Sequence, residues 1–337
     1  MAYAYYEKIA RINLTTGEIK VEKLDVELAK KFIGGRGLGT KIVYDEGCAS
    51  VDPLGPDNKL VYITGPLTGA GAPSSGRYMV VTKSPLTGMI ACSNSGGIWG
   101  AKLKYAGWDA LIVEGEAPDW TYINIVDDKI ELLDAREYLG LFSEELDDKL
   151  KEKHGKDSSV LSIGIAGEKK VLLAAIMNDK DRAAGRSGVG AVMGSKGLKA
   201  IIINPEGGKN HPLADEAAFR DASKRFAKAL MDHPVTGKGL AEYGTAVLVN
   251  ILHEAGGLPT RNFTSGQFEG HEAVSGERMN ANTKERGGEG AVAHGCMSGC
   301  IIRCSGLYPD KKGKLISKWP EYETLWCFGP HCGIDDL

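Results

Sequence analysis

The order of elements in the first hundred residues begins again near residue 121, and that recurrence limits the folds open to the chain more than any single motif does. KIARINLTTGEIKVEKL, from Lys8, alternates apolar and polar residues around Thr-Thr-Gly and predicts a β-hairpin. Helical stretches follow, one over Val26 to Ile33 closed by Gly34-Gly35 and one from Leu38 to Glu46. Strands are then expected at KLVYITG (59–65) and over Tyr78 to Thr82, and SNSGGIWGAKLKYAG (93–107) reads as a glycine-rich turn entering a short helix. The series restarts with the hairpin TYINIVDDKIELLDA (121–135), turning at Asp-Asp, and a helix over SEELDDKLKEKHG (143–155). Residues 159–205 again run strand, glycine turn, strand and a Gly/Arg-rich loop. Two half-domains on one plan predict an internal duplication. After Pro205 comes the polar stretch EGGKNHPLADE, followed by helical periodicity at 214–234 and 238–256. The expected organisation is therefore an α+β domain over 1–208 with an internal pseudo-twofold, then the start of a helical domain over 209–337. The chain finishes on GIDDL without a helix stop, so the 337 residues are expected to be part of something longer.

Glycine supplies 45 of the 337 residues, against a usual share of about 7%, and it clusters. Successive glycines let backbone N–H groups converge on an anion, and arginine adds a planar clamp for phosphate. Two places have this character: Gly76-Arg77 with Asn94-Ser95-Gly96-Gly97, and the run from Arg182 through Ala183, Ala184, Gly185 and Arg186 to Gly188. Tight turns carrying solvated arginines account for the same letters. Dinucleotide and P-loop patterns fail on order: GAGAPSSG has no regular G-x-G-x-x-G, and GAVMGSKG (190–197) gives Gly-Ser-Lys where a P-loop needs Gly-Lys-Ser/Thr. Forty-one basic against 44 acidic side chains leave a formal charge of −3, which argues against nucleic acid as a partner. No apolar run approaches the ~20 residues of a membrane span, and the N-terminus lacks the apolar core of a secretory signal. A cytoplasmic protein is expected.

HGCMSGCIIRCSG places Cys296, Cys300 and Cys304 at i, i+4 and i+8. On a helix the three thiols would follow one side, drifting about 40° per step; in a compact turn they would gather around one inorganic cluster. Zinc wants four ligands in paired spacing, whereas three close cysteines and one distant ligand suit a [4Fe–4S] cubane. Radical S-adenosylmethionine enzymes use an x3 then x2 spacing near an early strand, and both gaps here are three residues. A buried helix face with three small thiols is the plain alternative.

With these residues on the page, the chain resembles the tungsten-containing aldehyde:ferredoxin oxidoreductase family. The likeness is carried by RINLTTGEIKVE, NKLVYITGPLTGAGAPSSGRYMVVTKSPLTG, SNSGGIWGAKLKYAGWDALIVEG, IMNDKDRAAGRSGVGAVMGSKGLKAI, YGTAVLVNILHEAG, the cysteine run and PEYETLWCFGPHCGIDDL. It implies an N-terminal domain of two six-stranded sheets forming a saddle for tungsten, or molybdenum, chelated by two pyranopterins. By the same resemblance Arg77, Asn94, Ser95, Gly96, Arg182, Ala183 and Gly185 would contact the pterin phosphates and their bridging Mg2+. Cys296, Cys300 and Cys304 would bind the [4Fe–4S] cluster, although the first gap is two residues in the best-known members. The family's fourth cluster cysteine, a catalytic histidine and further pterin motifs lie beyond residue 337. Glu323 matches an active-site glutamate that could activate water or accept a proton; a helix-start carboxylate is its plain reading, and Glu321 fits that better. Cys327 and Cys332 could be proposed as the fourth cluster ligand but are read as core residues or residues just behind the site, and His331 is given no role. The implied activity is anaerobic oxidation of a small aldehyde to a carboxylic acid, with electrons leaving to ferredoxin or a partner subunit and a homo-oligomer left open. The alternatives are a truncated non-catalytic fragment, or a family reductase acting on carboxylate or thioester-linked aromatic substrates.

Overall fold

The computed structural model describes residues 3–208, 211–297 and 299–337. It divides into two compact units, Met1–Glu216 and Ala217–Leu337. The boundary expected from composition begins at Lys209, which lies outside the described residues.

The first unit holds the repeat. Its first half runs β1 (Lys8–Asn13), β2 (Ile19–Lys23), α1 (Val26–Phe32), α2 (Gly35–Asp45), β3 (Leu60–Thr64), β4 (Tyr78–Lys83), β5 (Ile90–Ser95), α3 (Trp99–Tyr105) and β6 (Ala110–Glu114). The second half runs β7 (Thr121–Val126), β8 (Lys129–Asp134), α4 (Ser143–His154), β9 (Ser159–Ser162), α5 (Ile165–Glu168), β10 (Ile176–Asn178), β11 (Arg182–Ala184), α6 (Val189–Ser195) and β12 (Leu198–Ile203). Strand order is β2-β1-β6-β3-β4-β5 in one sheet and β8-β7-β12-β9-β10-β11 in the other. The pairing senses also correspond: β1–β6 and β7–β12 are parallel, and every other pair is antiparallel. The duplication suspected from the sequence is thus a repeated sheet topology.

Period-two alternation explains how the sheets are covered. Leu60, Tyr62, Leu111 and Val113 face a shared interior, where they meet Ile123, Ile125, Ile201, Ile203 and the buried faces of α3 and α6. Val61, Ile63, Ala110 and Ile112 face the other way, against Ala29, Leu38 and Val43 of α1 and α2. On the second sheet Tyr122, Val160, Ala200 and Ile202 are covered by Leu146 and Leu150 of α4. Trp99 is fully buried and its indole N–H donates to the Ile201 carbonyl at 3.3 Å, joining the halves across the interior. Several elements of this unit went unread in the sequence, among them β6 and α5. SNSGG includes the end of strand β5, and GAVMGSKG is largely helix α6, whose glycines permit close packing: a Cβ on Gly194 would lie 1.9 Å from the Gly167 carbonyl oxygen.

Charge is also built into this unit. Arg11 on β1 pairs with Glu22 at 2.6 Å, Glu46 at 2.5 Å and Glu114 at 3.1 Å, and Glu114 pairs in turn with Lys59 at 2.8 Å. Lys104 and Lys199 are buried against Asp109 and Glu168. Lys196 is fully buried and its ammonium donates to the Pro56 and Gly115 carbonyls, at 3.3 and 3.2 Å.

The second unit mixes helices with a small sheet. It runs from α7 (Glu216–Asp232) through α8 (Leu240–Tyr243), α9 (Leu248–Glu254) and α10 (Gly276–Arg286) to β13 (Ala291–His294), β14 (Ser305–Pro309), β15 (Leu315–Lys318) and α11 (Tyr322–Phe328). The helix expected over 238–256 is interrupted at Gly244, whose φ of +63° ends α8 and lets its backbone lie against Trp319. The polar, glycine-rich stretch before the cysteines contains α10, started by the Ser275 hydroxyl accepting the Arg278 N–H at 3.2 Å. The antiparallel sheet β13-β14-β15 is the larger departure from an all-helical expectation. Gly306 makes it fit, since a Cβ there would sit 2.4 Å from the Trp319 ring. Among the described residues no helix is long and apolar enough to cross a membrane.

Burial, helped by the nearby Lys59 charge, pulls the Lys196 ammonium down to about 8. The folded state therefore binds fewer protons than the unfolded chain between about pH 8 and the ordinary lysine value of about 10.4, so stability should rise through that window. Denaturant titrations at intervals from pH 7.5 to 10.5 (roughly the window set by that shift) should show a gain of up to about 3 kcal/mol that Lys196→Met removes.

Candidate functional site

The glycine-bearing strand ends occupy equivalent places in the two halves, while the arginines beside them come from different positions. β5 pairs with β4 so that Tyr78 opposes Ser95 and Met79 opposes Asn94. β11 pairs with β10 so that Ile176 opposes Ala184 and Met177 opposes Ala183. Asn94-Ser95-Gly96 and Ala183-Ala184-Gly185 are therefore the same strand ends, once in each repeat. Arg77 stands just before β4 and Arg182 opens β11.

Side-chain contacts bring the two ends together. Arg77 is exposed, donates from Nη1 to Asn94 Oδ1 at 3.2 Å, and lies over Gly96, where a Cβ would be 3.6 Å from the guanidinium carbon. Gly97, with φ +83°, lies against the stem of Arg182, whose Cγ would be 3.2 Å from an added Cβ. The Arg182 side chain is only 15% exposed and its Nε is 3.3 Å from Asp181. Ser95 is buried and its hydroxyl is committed inward, donating to Asn178 Oδ1 at 2.6 Å. Asn94, Ala183 and Gly185 are exposed. Two further bonds tie the rim: the Arg186 N–H donates to Ser93 Oγ at 3.1 Å, and Ser84 Oγ donates to the Ser187 carbonyl at 2.8 Å.

Sequence reading passed over the residues that make this junction. Asn178 accepts Ser95 and the Tyr78 hydroxyl at Oδ1, the latter at 2.9 Å, and donates from Nδ2 to the Gly96 carbonyl at 3.0 Å and to Asp179 Oδ2 at 2.9 Å. Burial, reinforced by the Asp179 charge, pushes the Tyr78 hydroxyl far above its ordinary value, so it stays a donor. The signal was available: Asn-Asp-Lys-Asp between two apolar runs is a turn signature. Gly96 is buried under Arg77, whereas Gly185 is exposed and open; two arginines beside the exposed Asn94, Ala183 and Gly185 suit a polyanion carrying more than one phosphate.

In the second unit the cysteine run forms a loop between β13 and β14 rather than a helix. Cys296 and Cys300 are in contact. The Cys300 thiol is pulled down to about 5, first by its hydrogen bond with Cys296 and also by backbone N–H groups, including Arg303 at 3.4 Å. A cavity of about 340 Å³ beside them is lined by His294, Met297, Cys300, Ile301 and Arg303. Among the described residues no three His, Cys, Asp or Glu side chains are gathered at metal-holding distance, so Cys304 does not complete a trio here. Thiolate chemistry and N–H donors at sulfur fit an iron–sulfur centre at Cys296 and Cys300, and Cys304 closes the same loop at the start of β14.

The YGT turn links this loop to the PEYET helix. Gly244 lies 3.3 Å, measured from an added Cβ, from the Cys304 carbonyl oxygen. Its neighbour Thr245 donates to Glu321 Oε2 at 2.7 Å and accepts the Tyr322 N–H at 2.9 Å. Glu321 is the N-cap residue of α11, as its helix-start reading implied, and Glu323 is exposed in the first turn. Cys327 and Cys332 are both exposed, so neither is a core residue; the Cys332 thiol donates to the Cys327 carbonyl at 3.3 Å. His331 packs edge-on against Phe263 and Trp326.

Comparison with known proteins bears on this arrangement. Residues 9–205 match the N-terminal domain of aldehyde ferredoxin oxidoreductase, and residues 221–337 match domains 2 and 3 of the same family. The chain is 48% identical over 337 residues to a tungsten-containing aldehyde ferredoxin oxidoreductase of Pyrococcus abyssi, and 47% identical over 340 residues to that of Thermococcus kodakarensis. Each alignment takes in 99% of this chain and 54% of the relative, so the chain spans about half the length of these relatives. Among solved structures it is similar to the active-site complex BamBC of benzoyl coenzyme A reductase with 1,5-dienoyl-CoA. The TM-score is 0.78 at 25% identity, covering all of this chain and 54% of that one.

Gly97 tests how tightly the junction is built. An alanine Cβ there would fall 2.4 Å from Asp179 Oδ2 and 2.6 Å from Asn178 Nδ2, whereas at Gly71, with φ +81°, it would meet nothing within 4 Å. Gly97→Ala should lower unfolding free energy by about 2–4 kcal/mol in denaturant titrations and Gly71→Ala by about 1 kcal/mol, the difference measuring the overlap.

Proposed function

The chain belongs to the aldehyde ferredoxin oxidoreductase family, and from that membership we propose that it serves the oxidation of aldehydes to carboxylic acids at a tungsten, or molybdenum, bis-pyranopterin centre. The observation that carries the reading is the pair of equivalent strand ends, Asn94–Gly96 and Ala183–Gly185, each with an arginine beside it. In this proposal Arg77 and Arg182 bind the phosphates of the two pterins. Ser95 fixes its strand end, and Asn94, Gly96, Ala183 and Gly185 present backbone toward the phosphates and a bridging Mg2+. The bound centre supplies two-electron redox chemistry, and the protein supplies position and charge.

Glu323, exposed in the first turn of α11, accepts the proton released from an aldehyde hydrate, the role its match to the family's active-site glutamate implies. Cys296, Cys300 and Cys304 are proposed as ligands of a [4Fe–4S] cluster, which supplies one-electron transfer to ferredoxin or a partner subunit in an anaerobic cytoplasm. The likeness to the benzoyl coenzyme A reductase complex favours a second reading, reduction of a thioester-linked aromatic ring. The aldehyde reading stands ahead of it because those relatives are almost twice as similar in sequence.

Anaerobic expression with tungstate, metal and pterin analysis, and aldehyde-dependent reduction of ferredoxin test the proposal. Arg77→Ala and Arg182→Ala should each lower tungsten content roughly tenfold, and Cys300→Ala should abolish iron–sulfur absorbance. Aldehyde oxidation at full rate by demetallated protein would refute it, as would wild-type preparations that take up neither tungsten nor molybdenum. Ring reduction of an aromatic thioester in place of aldehyde turnover would select the second reading.

A further inference from the structure

The β5–α3 turn has no means of holding its own shape. Gly96 and Gly97 carry no side chains, and Ile98, the N-cap residue of α3, makes no side-chain cap. What orders it comes from the other repeat. Asp179 Oδ2 accepts the N–H groups of Ile98 at 2.8 Å and Trp99 at 3.3 Å, while Oδ1 accepts Ser159 Oγ at 2.5 Å. Asn178, 1% exposed, uses both amide hydrogens and its oxygen, gripping Gly96, Ser95 and Tyr78 from the first repeat and Asp179 beside it. Asp179 and Lys180 are held at φ +51° and +66°, the tight link between β10 and β11 that brings Arg182 under Gly97.

Resting on the phosphate reading above, we propose that Asn178 and Asp179 are positioning residues for the two-armed anion grip. They lock the first repeat's glycine turn to the second repeat's hairpin, so that Arg77 and Arg182 face one polyanion at a fixed separation. Asp179 also fills the amide end of α3, which directs a bound anion to the exposed strand ends instead. A carboxylate beside an anion site is electrostatically adverse, and that gives the proposal a sign of its own. By Coulomb's law alone, deleting Asp179 tightens phosphate binding. If the residue works by holding the turn, deleting it loosens binding, because the donors lose their preset arrangement.

The test is calorimetric titration of the full chain with inorganic pyrophosphate in Mg2+, with amide exchange followed at Ile98 and Trp99. Arg77→Ala and Arg182→Ala serve as reference variants, and melting curves establish that each variant is folded at the titration temperature. Asp179→Ala and Asn178→Ala should weaken pyrophosphate binding about tenfold and speed exchange at both amides. Asp179→Asn, which keeps an acceptor oxygen for the turn, should recover most of the loss, and it carries the test should Asp179→Ala not fold. Unchanged or tighter binding by the folded Asp179 and Asn178 variants, with weakened binding by the arginine variants, overturns the positioning role and leaves the phosphate reading standing. Wild-type affinity in both arginine variants removes the phosphate reading, and this inference with it.

Discussion

Two sheets built on one plan share an apolar interior, and where their outer strands meet the contact turns polar: a single buried amide, Asn178, meets Ser95, Tyr78 and Gly96 from the opposite repeat. A buried amide is costly unless its donors and acceptor are all engaged, and here both hydrogens and the oxygen have partners. The arrangement is therefore selective. It is satisfied only when the two strand ends lie in one register, and that register puts Arg77 and Arg182 on neighbouring glycines. Placement of the anion-binding groups follows from satisfying one side chain.

The same economy explains where glycine is spent. Gly97 leaves room for the Asn178–Asp179 pair, Gly194 lets α6 touch the backbone at Gly167, and Gly306 seats the Trp319 ring. Each is a close approach rather than a flexible hinge. This also accounts for the failure of GAVMGSKG as a phosphate loop: its glycines are packing surfaces, and Lys196 is turned inward to backbone carbonyls.

Much of the first unit was legible because period-two alternation and turn residues repeat in order, and the hairpins at 8–24 and 121–135 carry both signals. Strand β5 and helix α6 were not legible, since each is rich in glycine and serine whose meaning depends on what packs against them. Candidate anion contacts were recognisable as glycine–arginine clusters, while Asn178 and Asp179 were passed over because their partners lie about eighty residues away. In the second unit helical periodicity found α7. It missed the break at Gly244, which depends on Trp319, a residue distant in sequence. Spacing alone put the three cysteines together, and in the loop between β13 and β14 Cys296 meets Cys300.

Arg11 has a consequence of a different kind. Its guanidinium joins Glu22, Glu46 and Glu114, with Lys59 closing the chain of charges, so three strands of one sheet, the end of α2 and the segment before β3 are fastened at a single partly sheltered point. Stripping water from ions becomes less costly on heating, while the gain from burying hydrocarbon levels off. A fastening of this type therefore gains relative weight as the surroundings grow hotter, and it does so at β1, an inner strand held between β2 and β6.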